Sequence, residues 1–338
     1  MNILAVESSC DETAVAIVRD GRQILTDCIA SQVALHRIYG GVVPEIASRM
    51  HIEAIYGLAD QALEKAGLTR QQIDAVAVTY APGLIGAVLV GVNFAKAAAL
   101  ALNKPLIPVH HIRGHIAANY LADPELKPPF LCLVVSGGHT MFIDVKDYTR
   151  MEILGTTLDD AAGECFDKVA RVLGMPYPGG AALDKAAALG DETRYDLPRS
   201  KPGQNPYDMS FSGLKTAALN LIHHAEQIGE QLDVNSLCAS FSAAVSDTLV
   251  PRTVQALKQT GYKTLAVAGG VAANSRIRRD VLAAAEKLGV KVCLPPLYLC
   301  GDNAAMIGSQ AYYEYLAGNL ADMGLNAYAT KSILGEAI

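Results

Sequence analysis

The sequence has no excess of basic residues. It contains 28 Lys and Arg against 34 Asp and Glu, so its formal net charge at pH 7 is −6. A body of this charge does not attract polyanions as a whole. Nucleic acid, if it is a substrate, would therefore need a local basic patch or a partner protein.

Paired cysteines, a secretory signal and an uninterrupted apolar stretch are also missing. The cysteines number seven and form no C-x-x-C pair, which indicates reduced thiols of an intracellular protein. The apolar run at the start stops at Glu7 without a basic region before it, so we expect no secretory signal. The longest apolar tract, 84–102, is interrupted by Asn93 and Lys96, which favours a buried helix over a membrane span. We expect a cytoplasmic protein with no membrane association.

Two common nucleotide motifs are absent as well. No G-x-x-x-x-G-K-[ST] occurs, and no G-x-G-x-x-G follows a strand pattern, which argues against Walker-type and dinucleotide sites. The chain has 338 residues, of which 51% are hydrophobic and 18% charged, with 29 Gly and 15 Pro. This composition predicts a folded globular protein of about two domains.

The chain appears to contain the same α/β unit twice. Each copy starts with two strands joined by a polar turn, continues with a third strand, and ends with a strand, a glycine turn, a helix and another strand. The predicted strands are 3–6, 13–18, 24–31, 73–79 and 105–109 in the first copy, and 130–135, 140–145, 151–155, 264–268 and 291–294 in the second. A further helix follows each copy, beginning near His110 and near Gly301.

This order predicts a duplicated α/β fold with two lobes around a cleft, topologically similar to actin, Hsp70 and sugar kinases such as hexokinase. The expected first lobe is 1–109, with a C-terminal helix at 303–325 packed on it, and the second is 110–302. Residues 158–215 are richer in Gly, Pro and charge, and are interpreted as a helical insertion in which 194–207 form an exposed loop.

One candidate metal site follows from the repeat. His111 and His115 stand four residues apart on one predicted helix, a spacing that lets both imidazoles reach one ion. Asp302 lies at the corresponding place in the second copy, so we expect the three to hold a metal across the cleft. Two His and one carboxylate suit Fe(II), Zn(II) or Mn(II). The alternative is that these residues only cap helices.

A His-x-x-x-His helix also raises the possibility of a metallopeptidase. In the H-E-x-x-H motif, the residue after the first His is the general-base Glu. Here that position is Ile112, so the peptidase interpretation loses its catalytic residue.

Glycine turns offer backbone N–H groups to a phosphate. Three such turns occur, at 136–138, 178–180 and 269–274. The first is at the hairpin turn of the repeat unit and the third is at its strand–helix turn.

Several motifs together resemble the TsaD family, the tRNA N6-adenosine threonylcarbamoyltransferases once labelled O-sialoglycoprotein endopeptidases. The similarity runs in order from residue 3 to about 320. The motifs are Glu7-Ser-Ser-Cys-Asp-Glu-Thr13, Gly40-Gly-Val-Val-Pro-Glu-Ile-Ala-Ser-Arg-Met-His51, His111-Ile-Arg-Gly-His115, Val135-Ser-Gly-Gly-His-Thr140, Asp159-Asp-Ala-Ala-Gly-Glu164, Phe211-Ser-Gly-Leu-Lys-Thr216, Gly269-Gly-Val-Ala-Ala-Asn274 and Asp302-Asn-Ala-Ala-Met306.

The resemblance implies a reaction and its ligands. A threonylcarbamoyl group would pass from threonylcarbamoyl-AMP to N6 of adenosine 37, in tRNAs that read codons beginning with A, to form t6A. His111, His115 and Asp302 match the family's metal ligands, with iron usually assigned. Positions that match its adenylate-binding residues are Val134, Val135, Ser136, Gly137, Gly138, Asp167, Gly180, Asp184 and Asn274. The family works with TsaB and TsaE, and receives its donor from the synthase TsaC.

The remaining roles are open from the sequence. Asp11 and Glu12 are candidates for the base that accepts the amine proton, with His139 as another possibility. Basic side chains that could guide an anticodon stem are Arg194, Arg199, Lys201, Lys215, Arg276, Arg278 and Arg279. Two other functions remain possible, a partner-dependent ATPase or kinase on the same fold and a nucleotide-binding scaffold without catalysis.

Overall fold

The computed structural model describes residues 1–201 and 203–334. Ten strands are present in this part of the chain: β1 Asn2–Glu7, β2 Glu12–Arg19, β3 Gln23–Ser31, β4 Ala75–Ala81, β5 Leu106–His110, β6 Phe130–Val135, β7 Thr140–Val145, β8 Met151–Thr156, β9 Thr264–Ala268 and β10 Lys291–Cys293. The α-helices of the same residues are α1 Val33–His36, α2 Pro44–Ala66, α3 Ile85–Leu102, α4 His111–Ala122, α5 Ala162–Val172, α6 Gly179–Ala187, α7 Ser212–Ile228, α8 Val234–Thr260, α9 Ser275–Leu288 and α10 Ala304–Leu316.

The strands form two five-stranded sheets with the same order. The first is β3-β2-β1-β4-β5 and the second is β8-β7-β6-β9-β10. In both, the first two strands of the copy pair antiparallel, and the fourth strand pairs parallel with the first and with the fifth. In the first sheet, β3 also pairs antiparallel with β2. The predicted duplication of a mixed α/β unit is therefore confirmed, and the observed strands match the ten predicted ones to within two residues at each end.

The chain divides into two compact units. The first consists of Met1–Pro128, Lys146–Met151 and the residues from Pro295 onward, and the second of Pro129–Val145 and Glu152–Leu294. The sequence had suggested a boundary at 109/110 instead. Helix α4 lies in the first unit because it packs on α10 and on β5. Helix α10, which was expected on the first lobe, also lies in the first unit.

The first unit has three layers, because alternate residues of its central strands are buried on opposite faces. In β1, Leu4 and Val6 belong to the core formed with α2 and α3. Ile3 and Ala5 belong to the core that includes residues of α4 and α10. Strands buried on both faces contain almost continuous apolar residues, as this sequence does.

Helices α4 and α10 approach each other closely at Gly114. A Cβ built on Gly114 would lie 2.6 Å from Cδ1 of Ile307 and 3.3 Å from Cγ of Met306. A side chain at this position would have to displace the side chain of Ile307. The glycine between the two histidines therefore lets the side chains of α10 pack directly on α4.

The apolar helix α3 is only partly covered. By length and composition, it is the one helix in the described residues that could cross a membrane, and 33% of it is buried in the structure. It packs on β4 and α2, and Lys96 donates to the carbonyl of Leu325 at 3.1 Å. The expected burial of this helix therefore holds for one side only.

In the second unit, the insertion contributes α5 and α6. Residues 194–201 and 203–207 contain no helix or strand, as expected of a loop. Most of these residues are exposed or half-buried, as expected, whereas Leu197 and Tyr207 are buried. The apolar side chains of these two residues draw the segment onto the unit.

All seven cysteines are free thiols, as the sequence predicted.

Candidate active site

The three predicted metal ligands come together within the first unit. Nε2 of His111 lies 3.5 Å from Oδ1 of Asp302, and Nε2 of His115 lies 3.2 Å from the same oxygen. One potential ligand atom from each residue lies within 4.8 Å of the others. Because all three belong to the first unit, the expectation that the ion would be held across a cleft between the two copies was wrong.

Helix capping does not account for these residues. The N-cap of α4 is His110, whose Nδ1 accepts from the N–H of Ile112, and the N-cap of α10 is Asn303, whose Oδ1 accepts from the N–H of Met306. The caps stand one residue before His111 and one residue after Asp302. The neighbouring residues His110 and Asn303 thus accept the hydrogen bonds at the two helix N-termini, and His111, His115 and Asp302 are not needed as caps.

The electrostatics of the triad favour a cation. Burial alone lowers the pKa of His111, but the charges of Asp302 and Glu7 and the hydrogen bond that His111 donates to Glu7 outweigh it and raise the pKa to about 9. Burial would raise the pKa of Glu7, yet His111 and the hydrogen bond from Ser9 hold it below its ordinary value. Two carboxylates therefore face two buried imidazoles, an arrangement stabilised by added positive charge.

The donor set fits a divalent metal ion. Ligands about 2.0–2.2 Å from a tetrahedral or octahedral ion lie roughly 3 Å or more from each other, which is the separation seen here. Two imidazoles and one carboxylate also leave coordination positions open for a substrate. Ile112, which replaces the peptidase glutamate, is fully buried and offers no base.

The polar turn between β1 and β2 places the two candidate bases in the same unit. Asp11 is buried, and its carbonyl accepts from the N–H of Gln32 at 3.0 Å. Glu12 accepts from the hydroxyl of Ser31 at 2.8 Å through Oε1, while its buried Oε2 has no hydrogen-bond partner among the described residues. Burial raises the pKa of Glu12 to about 7, and the charges of Asp11 and Asp302 act in the same direction.

The predicted adenylate positions lie in the second unit. The turn between β6 and β7 is closed by the Ser136 N–H, which donates to the carbonyl of His139 at 2.7 Å. Gly137 and Gly138 are exposed, and a Cβ on either would have no described atom within 4 Å. The backbone of this turn is therefore open to a ligand. Val134 and Val135 end the buried strand that leads into it.

The remaining adenylate positions are joined by hydrogen bonds. Gly180 donates its N–H to Oδ1 of Asp167 at 3.0 Å, which connects the start of α6 to α5. Ser275 donates through its hydroxyl to Asp184 at 2.8 Å, which connects α6 to the start of α9. Asn274 caps α9 through the N–H of Ile277. Asp167 and Asp184 thus hold the N-terminal ends of α6 and α9 in place.

Two glycines bring these helix ends to the turn. A Cβ on Gly163 would lie 2.5 Å from the carbonyl oxygen of Ser136, so only glycine lets α5 start against the turn. Gly269 has φ +94°, and a Cβ there would lie 2.4 Å from the carbonyl of Val135. Gly269 belongs to a turn that the sequence predicts, whereas the role of Gly163 depends on a contact that the sequence does not reveal.

Most of the predicted RNA-guiding side chains are paired with carboxylates. Arg276 contacts Glu192 and Asp280, and Arg279 contacts the same two residues. The other pairs are Arg194 with Asp233, Arg199 with Asp247 and Lys215 with Asp160. Local pairing reduces the positive field that a polyanion would feel at these positions.

Comparison with known proteins gives a consistent result. The family model of TsaD, tRNA N6-adenosine threonylcarbamoyltransferase, matches residues 23–309. The chain belongs to the TsaD family. The tRNA N6-adenosine threonylcarbamoyltransferase of Moorella thermoacetica is 55% identical over 326 residues, covering 96% of this chain and 95% of the relative. That of Clostridium botulinum is 51% identical over 327 residues, covering 97% and 96%.

Solved structures agree on the fold. Full-length HypF superposes with a TM-score of 0.61 at 16% identity, covering 98% of this chain and 47% of that one. Component A of the (R)-2-hydroxyglutaryl-CoA dehydratase of Acidaminococcus fermentans gives 0.54 at 15% identity, covering 94% and 99%. The protein is thus an acyltransferase that makes t6A on tRNA, and the relatives favour this activity over the kinase and scaffold alternatives.

Sequence reasoning missed one member of the first-unit site. Glu7 is fully buried at the end of β1, and its Oε2 lies 3.1 Å from Nδ1 of His111. The available signal was a carboxylate directly after a buried apolar strand, next to the turn that carries the candidate bases.

Glu12 makes stability depend on pH. Its pKa is about 7 in the folded protein and near 4.5 when exposed, so the folded state binds more protons between these values and stability falls as the pH rises through them. Glu12→Gln stays neutral and removes this contribution. We expect the melting temperature of the variant, relative to wild type, to be a few degrees higher at about pH 8 than at about pH 5.

Thermal unfolding followed by circular dichroism at the two pH values measures this difference. Glu230→Gln, at an exposed carboxylate of the second unit, is the matched control and should show no such gain. An equal offset at both pH values for Glu12→Gln would contradict the raised pKa.

Proposed function

We propose that His111, His115 and Asp302 hold one divalent metal ion, Fe(II) first and Zn(II) as the alternative, in the transfer of threonylcarbamate to tRNA. The observation that carries the proposal is the convergence of two imidazole Nε2 atoms on one carboxylate oxygen within 3.5 Å. When bound, such an ion supplies a Lewis acid for negative charge on the donor's carbonyl or phosphate oxygens.

The reaction requires a proton acceptor. The N6 amine attacks the carbamoyl carbon of threonylcarbamoyl-AMP, a C–N bond forms, the bond to the phosphate oxygen breaks, and AMP leaves with the electron pair. The amine must lose one proton, and Glu12 is suited to accept it because its pKa of about 7 is close to the working pH. Asp11 lies beside it and is the second candidate. Replacing Glu12 by Gln without any loss of transfer would remove it from this role.

The second unit binds the adenylate in this proposal. Gly137 and Gly138 would offer backbone N–H groups to the phosphate, because the two glycines leave room next to the turn. Val134, Val135 and Ser136 would hold the turn in place, since the Ser136 N–H already donates to the carbonyl of His139. Asp167, Gly180, Asp184 and Asn274 would contact the rest of the nucleotide. Related folds have been solved with nucleotides, namely full-length HypF in a phosphate- and nucleotide-bound form and the activator of the 2-hydroxyisocaproyl-CoA dehydratase of Clostridium difficile with bound ADPNP.

Partner proteins complete the proposed system. We assign the uncovered side of α2 and α3 to a TsaB-like protein, with a TsaE-like protein and an upstream TsaC-like synthase acting in the same cytoplasmic pathway. The two helices pack together, and they present apolar side chains one turn apart, Ile52 and Tyr56 on α2 and Ile85 and Leu89 on α3. A protein partner that covers this side also explains why α3 is apolar without being a membrane span.

The transfer assay tests the function. Labelled threonine, bicarbonate, ATP, a TsaC-like synthase, the partner proteins and a tRNA that decodes A-starting codons are incubated with this protein. Label should enter tRNA only when the protein is present, and Asp302→Ala should lower the rate by at least about a hundredfold because one of three ligands is lost. Metal analysis of the same samples should show less bound metal in Asp302→Ala. Equal metal content, or cleavage of a protein substrate with tRNA left unlabelled, would contradict the proposal.

Gly137 tests the adenylate site. Gly137→Val places a branched side chain in the open space beside the turn, where no described atom lies within 4 Å of the new Cβ, so folding should be little affected. We expect AMP affinity to fall by at least about tenfold, measured by calorimetry on the full chain. Gly203→Val, at an exposed loop glycine with equally open surroundings, is the control. Unchanged AMP binding by folded Gly137→Val would reject the assignment.

Tyr56 tests the partner surface. Its side chain is 59% exposed, so Tyr56→Asp should not disturb the core but would put a charge into an apolar interface. Association with the TsaB-like protein, measured by analytical ultracentrifugation, should weaken by about tenfold or more. Leu282→Asp, at an exposed apolar position of α9, should leave association unchanged. Equal association of both variants would place the partner elsewhere.

A further inference from the structure

Glu7 has contacts that are unusual for a structural residue. Its side chain is fully buried, and both carboxylate oxygens are in use. Oε1 accepts from the backbone N–H of Ser9 at 2.6 Å, and Oε2 accepts from the hydroxyl of Thr79 at 2.5 Å. Oε2 also lies 3.1 Å from Nδ1 of His111. Strands β1 and β4 thus fix one carboxylate against one imidazole.

These contacts decide which nitrogen of His111 carries the proton. A carboxylate whose oxygens already accept hydrogen bonds has only lone pairs to offer the ring, so Nδ1 is the donor toward Glu7. The hydroxyl oxygen of Ser9 also lies 3.2 Å from Nδ1 and can accept from the same N–H. A neutral imidazole with its proton on Nδ1 has its lone pair on Nε2. Nε2 is the atom that faces Asp302 at 3.5 Å.

We propose that Glu7 is a positioning residue that locks His111 in the Nδ1–H form and so presents Nε2 as a metal ligand. The inference rests on the metal site proposed above. It goes beyond that site because the carboxylate contacts no ion itself and acts through His111. Carboxylates in this position are known to orient metal-binding histidines and to strengthen them as ligands.

His115 shows that this lock is specific. Its Nδ1 is buried and has no hydrogen-bond partner among the described residues, although its Nε2 also faces Asp302. No described residue therefore holds a proton on Nδ1 of His115, in contrast to His111. The site thus contains two different histidines. The orientation of His111 is fixed by a carboxylate of the sheet, and that of His115 is set only by its position on α4.

Ser9 makes glutamine a sharp probe of the lock. In Glu7→Gln, the amide oxygen must remain where the Ser9 N–H donates, because the reversed amide would place two donors against each other. The NH2 group would then take the place of Oε2 and donate to Nδ1 of His111. The ring proton would move to Nε2, which removes the lone pair that a metal needs. The substitution keeps the size of the buried side chain and removes its charge, so the fold should be preserved.

The first measurement needs no metal. Protein labelled with 15N-histidine is studied by long-range 1H–15N correlation over a series of rising pH values until the His111 ring is neutral, and His111→Asn identifies the signal among the eight histidines. Wild type should show the Nδ1–H form of His111, and Glu7→Gln should show the Nε2–H form. A wild-type ring with its proton on Nε2, or an unchanged Nδ1–H form in Glu7→Gln, would overturn the proposal.

The second measurement is metal affinity at about pH 7. Competition with a chelator for Zn(II) should show at least about tenfold weaker binding for Glu7→Gln. The matched control is Glu314→Gln. Glu314 is a buried glutamate on α10, and its carboxylate lies 2.9 Å from the guanidinium of Arg113, which is on α4 like His111. The affinity of this variant should stay within about twofold of wild type. An equal loss of Zn(II) affinity in both variants would contradict the proposal, because Glu7 would then act only as a structural carboxylate.

The two measurements separate the two proposals. A wild type that shows the Nδ1–H form but binds neither Fe(II) nor Zn(II) would reject the metal site while leaving the lock intact. A wild type that binds metal with an unchanged affinity in Glu7→Gln would reject the lock and keep the metal site.

Discussion

The close approach of α4 and α10 at Gly114 is the contact on which the first-unit site depends. Because Gly114 has no side chain, Ile307 and Met306 of α10 can pack against α4, and the N-terminal ends of the two helices meet. One end carries both histidines and the other follows directly after Asp302. The glycine between the histidines is thus part of the site, although it offers no chemical group of its own.

The second constraint is charge. Burial of carboxylates near imidazoles is unfavourable unless opposite charge compensates it, and the first unit places Glu7 and Asp302 around His111. Without a cation, a proton on His111 supplies the compensation, which is the cause of its raised pKa. A divalent ion can take the place of that proton. Metal binding and protonation of His111 are therefore alternatives at one position.

Much of the fold was predictable from local patterns. The ten strands follow from short apolar runs bounded by turns, and the repeat shows itself because the two copies have the same order of elements. The triad was predictable because two of its residues share a helix and the third lies at the equivalent place in the repeat. Two features were not predictable from local patterns. The first is that one side of α3 is exposed, because its apolar composition does not tell which sides other elements cover. The second is the burial of Leu197 and Tyr207, which depends on contacts within the second unit.

Long-range contacts explain the remaining differences. Glu7 and His111 are 104 residues apart, and no periodicity connects them. Gly163 and Ser136 meet only because α5 begins against the turn between β6 and β7. The placement of α4 in the first unit likewise follows from its packing on α10, nearly 200 residues later in the chain. In each case, the chemistry of the residue was visible in the sequence and its neighbour was not.

The two copies use the same turn for opposite charges. In the first copy, the turn between the leading strands contains Glu7, Asp11 and Glu12, and such carboxylates attract cations. In the second copy, the equivalent turn contains Ser136, Gly137 and Gly138, and the open space beside the two glycines is suited to an anion. One fold thus offers two turns of different chemical character without any change in strand order. Transfer from an adenylate to an amine requires both, because the leaving phosphate is an anion and the attacking amine must lose a proton to a base.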